Sequence, residues 1–163
     1  MNSVDEFKGD EIRGLLRTEL SAVETYERAV GERAWDLLRG KHAQHLINIL
    51  VDHLEVSSEL QAIIQQTTSP LVDGVEKRET WFILGIQASK LFGEAKLFSD
   101  AATIQALKKG EENALEAYQT ILEDPATPTP MKAFVNSLVM RQRAHIHALE
   151  GLLENYRNHP RLQ

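Results

Sequence analysis

Two glutamates in this 163-residue chain, Glu19 and Glu111, stand where a helical repeat calls for core-facing apolar side chains. Positions 12, 16, 19, 23, 26 and 30 advance by four and three, which keeps them on one helix face at 3.6 residues per turn. They hold Ile12, Leu16, Glu19, Val23, Tyr26 and Val30. Around Glu111 the same spacing gives Ile104, Lys108, Glu111, Leu115, Tyr118 and Leu122, with Lys108 placed to snorkel from a helix end. Two further stripes each carry a histidine: His53 among Leu46, Leu50, Leu60 and Ile64, and His145 among Leu138, Gln142, Leu149, Leu152 and Tyr156. Four faces thus offer a core Glu, His, Glu and His. A buried carboxylate without a partner costs several kcal/mol, and a divalent cation held by all four groups is one way to satisfy them.

The two glutamates belong to an internal repeat. Residues 12–26 and 104–118, 92 positions apart, share Ile12/Ile104, Leu15/Leu107, Glu19/Glu111, Ala22/Ala114, Glu24/Glu116 and Tyr26/Tyr118. The same offset carries His53 onto His145, so each Glu precedes its His by 34 residues. A solvated charge has no reason to recur with the same Ala three residues on and the same Tyr seven residues on.

The plainer reading is that such stripes are core, with each Glu paired to a Lys or to a Tyr hydroxyl and each His a satisfied core residue. Glu24 and Glu116 lie about 140° around the helix from Glu19 and Glu111, so their recurrence fits a helix contact or a salt bridge. His147 points to a different face from His145, and His42, His45 and His159 show no interpretable spacing. Asp52 and Glu55, which flank His53, are reserve carboxylates.

Composition narrows the chemistry. Cysteine is absent, which removes disulfides, thiolate metal sites and thiol nucleophiles and leaves His and carboxylates as the metal donors. A net charge of −6 without a Lys/Arg cluster argues against nucleic acid or an anionic membrane as partner. The acidic start "MNSVDEFKGD" has neither the basic nor the apolar region of a signal peptide, and no apolar run approaches the roughly 20 residues of a membrane span. The expectation is a cytoplasmic protein forming one domain over 1–163.

The elements that must position these groups are helices, because apolar positions recur with helical spacing and strand-like alternation is missing. A first helix is predicted from about Asp10, or from a capping box at Ser3 and Glu6, to Gly31; a second from Asp36 or Lys41 to Gln66. "TTSPLVDG" ends the second. "TWFILGIQASKLF" fits a shorter helix over about 76–92, and a further helix runs from Ser99 or Asp100 to Glu123. After the linker "DPATPTP", Thr129 as N-cap and Pro130 at the first helical position open a last helix reaching Tyr156. The fold class is all-α: a four-helix bundle with an additional helix in the long middle crossover. "TWFILGIQASKLF" is apolar over more than one face, and a homodimer would give it cover.

E-x-x-A-x-x-x-Y on the first and third bundle helices, with 34 residues from each Glu to a His on the next, resembles the ferritin-like superfamily, in particular its rubrerythrin branch. The order of parts, including a crossover with Trp81 followed by "LKKGEENALEAYQTILED", looks still more like a bacterial family of ferritin-like proteins of unknown function. The resemblance spans about residues 10–156. It implies a bundle in which two helices give Glu and two give Glu-x-x-His around a di-iron centre. The chain departs from that pattern, because the positions three before each His hold Leu50 and Gln142 rather than Glu.

Glu19, His53, Glu111 and His145 remain. They suit a single Fe, Zn or Mn ion, or a hydrogen-bonded core with no metal in which Tyr26 and Tyr118 donate to the glutamates. The first alternative is a metal-binding or redox protein with an incomplete di-iron site, the second a non-catalytic structural or interaction bundle. A hydrolase has little support, since no nucleophile motif, phosphate loop or H-E-x-x-H occurs.

Overall fold

The structure, a computed structural model, describes residues 9–37, 41–66 and 100–158. They form four α-helices: α1 (Gly9–Leu37), α2 (Lys41–Gln66), α3 (Asp100–Glu123) and α4 (Thr129–Asn158). No strand occurs among the described residues. The capping box at Ser3 and Glu6 and the crossover helix expected over 76–92, with Trp81, lie outside them.

α1 continues past Gly31, where the sequence predicts its end, to Leu37. Glycine inside a helix costs only about 1 kcal/mol relative to alanine, and the following Glu32, Arg33 and Ala34 are good helix formers. α2 starts at Lys41, the later of its two predicted starts, and ends at Gln66 as predicted.

The 124–128 linker is fastened to the end of α3 and within itself. The Thr127 hydroxyl donates to the Ile121 carbonyl (2.8 Å), and the Asp124 carboxylate accepts from the Ala126 amide (2.8 Å). Pro130 then sits in the first turn of α4, where its missing amide hydrogen costs nothing.

α1 packs along α2 and α3 along α4; α1 also meets α3, and α2 meets α4. The diagonal pairs make no close backbone approach among the described residues, which is the arrangement of a four-helix ring around a shared core. The predicted stripes supply most of that core, with Ile12, Leu16 and Tyr26 from α1, Leu46, Leu60 and Ile64 from α2, Ile104 and Tyr118 from α3, and Leu138, Leu149 and Leu152 from α4; Leu107 of α3, outside the predicted stripe, joins them. Buried hydroxyls at Thr25 and Ser57 are satisfied by carbonyls one turn back in their own helices, at 2.8 Å each. Lys108 leaves the seam for its margin, where its ammonium reaches Glu112 (3.3 Å) on α3 and Glu150 (3.5 Å) on α4.

Candidate functional site

All four predicted site residues converge at mid-bundle. Glu111, Glu19, His53 and His145 are 0, 2, 1 and 4% exposed. Each lies within a largely buried stripe of its own helix. The cluster is an intersection of the four seams rather than a surface feature.

His53 lies between the two glutamates. Its Nδ1 is 2.6 Å from Glu19 Oε2 and its Nε2 is 3.0 Å from Glu111 Oε1. The tyrosines cross over: the Tyr26 hydroxyl of α1 donates to Glu111 Oε1 on α3 (2.7 Å), while the Tyr118 hydroxyl of α3 donates to Glu19 Oε1 on α1. The repeat in the sequence is thus a reciprocal pairing in space. Each Tyr serves the Glu of the other copy.

Electrostatics follow from this geometry. Burial pushes the His53 pKa down, but the coulombic pull of Glu111 and then Glu19, with hydrogen bonds to both, outweighs it and holds the ring at about 10. Burial pushes Glu111 up; the His53 charge, the nearby His145 ring and the His53 hydrogen bond outweigh that and bring it to about 2. Burial, followed by the nearby Glu111 and Glu19 respectively, raises Tyr26 and Tyr118 well above the ordinary phenol range. Both hydroxyls remain protonated donors. Without a metal, His53 is an imidazolium whose charge offsets carboxylates on either side.

His145 is placed differently. Its Nε2 is 2.9 Å from Asp52 Oδ2 on α2, and the Asp52 side chain is 44% exposed. Its Nδ1 is buried, lacks a hydrogen-bond partner and lies 3.5 Å from Glu111 Oε2. The His53 and His145 rings meet edge to face with centroids 4.9 Å apart. One donor atom from each of His53, Glu111 and His145 falls within 4.8 Å of the other two. Glu19 sits on the far nitrogen of His53.

Gln142 occupies the seam position three before His145 and is 1% exposed. Its Nε2 donates to the Glu111 main-chain carbonyl (3.2 Å) and to Glu111 Oε2. Leu50, its counterpart on α2, is partly buried against the apolar core. The departures from Glu at these positions are therefore a hydrogen-bond donor on one side and a hydrocarbon on the other.

Asp52 was singled out in the sequence only as a neighbour of His53, yet it serves the other histidine. Pairing across α2 and α4 carries no signal along the chain. Glu55, the second reserve carboxylate, lies 3.9 Å from Arg141 instead. Glu116 and His147 are exposed and Glu24 is half-buried, outside the central cluster. His42 and His159 have no described side chain.

The donor set fits a divalent cation. Nitrogen and oxygen donors from imidazole and carboxylate suit Zn, Fe and Mn, and the His145 Nδ1 left without a partner beside Glu111 is a donor atom that a cation would satisfy. Among the described residues, no helix is long and apolar enough to cross a membrane. Comparison of the chain with known family models, with curated proteins and with solved structures returned no match.

Proposed function

We propose that the chain is a ferritin-like metal-binding protein with an incomplete di-iron site, its cation gathered by the cluster of Glu19, His53, Glu111 and His145. The observation that carries this reading is the His145 Nδ1, buried without a hydrogen-bond partner and 3.5 Å from Oε2 of Glu111, the carboxylate whose other oxygen faces His53. Leaving such an atom unsatisfied costs about 1–3 kcal/mol, so metal-ligand bonding there is favoured. A bound ion would supply Lewis-acid chemistry, or one-electron chemistry if it is redox-active. The protein would supply a dry site, two carboxylates, two imidazoles and two tyrosine donors that fix the carboxylate orientations. The crossover helix and a homodimer covering its apolar faces belong to the same reading, as does a cytoplasmic location.

A second reading rests on a specific observation. Both carboxylates and His53 already satisfy one another and the two tyrosines, which suits a bundle that keeps a polar core for structure alone. Metal analysis separates the two. Protein purified without chelator and then offered ferrous iron, zinc or manganese is expected to retain a stoichiometric ion after gel filtration; retention of none of the three would overturn the metal reading in favour of the structural one.

A further inference from the structure

Imidazole ligands of metals usually donate their second ring N–H to a carboxylate, which fixes the tautomer and leaves the other nitrogen's lone pair for the ion. Both histidines here have that arrangement. Glu19 Oε2 takes the Nδ1 side of His53 at 2.6 Å, and Asp52 Oδ2 takes the Nε2 side of His145 at 2.9 Å. The nitrogens left over, His53 Nε2 and His145 Nδ1, are the two that flank the Glu111 carboxylate, at 3.0 and 3.5 Å. Donor atoms around a tetrahedral zinc-type ion, with bonds near 2.0–2.1 Å, stand about 3.3 Å apart. Both separations lie close to that value.

Gln142 limits the site to one ion. Its amide faces two acceptors, the Glu111 carbonyl and Glu111 Oε2, so only its NH2 group can point there and its oxygen is turned away. It therefore acts on Glu111 as a donor and adds no ligand. Leu50 adds none from α2.

We propose that this chain builds a mononuclear site of three protein ligands, His53 Nε2, His145 Nδ1 and Glu111, in which Glu19 and Asp52 are positioning carboxylates rather than ligands. The set is two imidazoles and one carboxylate, suited to a single divalent ion of the zinc class with a coordination position left for water or a small anion. This assignment rests on the metal-binding reading above and changes its ligand count from four to three.

Co2+, whose visible absorption reports tetrahedral coordination, is the probe, titrated into full-length protein with stoichiometry read by native mass spectrometry. Wild type is expected to take one Co2+ with intense visible bands, and azide is expected to shift those bands by entering the remaining position. Asp52→Asn and Glu19→Gln should keep one Co2+ with the same bands while binding about 10–100-fold more weakly. His145→Gln and Glu111→Gln should lose the bands. Two ions per wild-type chain, bands indifferent to azide, or a folded Glu19→Gln variant that binds no Co2+ would overturn the three-ligand assignment and leave metal binding standing. No Co2+, zinc, iron or manganese bound to folded wild type would remove the metal reading and this assignment together. If Glu19→Gln does not fold, the azide response of wild type and the Asp52→Asn titration decide.

Discussion

The Tyr26 hydroxyl on α1 donates to Glu111 on α3 at 2.7 Å, and its repeat partner Tyr118 on α3 donates to Glu19 on α1. Each bond ties one helical hairpin to the other at the point where α1 and α3 meet. Tyr26→Phe and Tyr118→Phe should each lower unfolding stability by about 1–3 kcal/mol, because a buried carboxylate loses a donor that water cannot replace. Urea unfolding checks this. A loss no larger than that of an exposed Tyr→Phe change would show that the crossed bonds do not hold the hairpins together.

His53 makes the metal-free protein sensitive to alkali. Its folded pKa of about 10 lies above the ordinary value of 6.5, so its stabilising contribution is complete below about pH 6.5 and is lost as pH rises through 10. Glu111 works in the other direction: at about 2 against an ordinary 4.5, its contribution is complete above about pH 4.5 and is lost as pH falls towards 2. The urea midpoint of chelator-treated protein should therefore be highest between these limits and fall on both sides. An unchanged midpoint from pH 7 to 10 would contradict the imidazolium assignment.

Replacing His53 with an apolar residue of similar size should be costly even though it leaves little cavity. His53→Leu leaves Glu19 and Glu111 buried and facing each other without the intervening charge, a loss of about 3–5 kcal/mol for a broken buried ion pair. Thermal unfolding should show that drop at pH 7. It should shrink at pH 4, where protonating a carboxylate relieves the repulsion. A variant as stable as wild type at pH 7 would mean that the cluster is not charged.

The two ion pairs of the half-buried Arg141 with the exposed Glu55 and Glu59, at 3.9 and 3.7 Å on the bundle's rim, offer a contrast. Arg141→Ala should change stability by less than about 1 kcal/mol. Leu107→Ala, by comparison, empties a fully buried position on α3 and should cost about 2–5 kcal/mol. Denaturant titration of both variants checks whether stability comes from the seams rather than from the charged rim.

Much of this arrangement was legible in the sequence because it is periodic. Glu19 and Glu111 stood out as charged residues on apolar faces, and the tyrosines seven residues on share those faces. Convergence of the four groups followed from the seams of a bundle. Two things were not legible. Asp52 follows no apolar stripe, and its partner His145 lies 93 residues away on a helix whose rotation against α2 only packing sets. Gln142 could be read as a missing ligand, but its role as a donor to Glu111 depends on which end of the amide faces the carboxylate, and that is fixed by two acceptors brought together in space. α1 runs past Gly31, where the sequence predicts its end, because one interior glycine costs a helix only about 1 kcal/mol.

The central claim is that the buried Glu and His side chains hold a metal ion, and anomalous X-ray scattering from crystals of the zinc-loaded protein tests it most directly. The expected result is one peak per chain, about 2.0–2.2 Å from His53 Nε2, His145 Nδ1 and a Glu111 carboxylate oxygen. A map recorded at the zinc edge with peaks only at the protein surface, and with His53 still bridging Glu19 and Glu111, would contradict it.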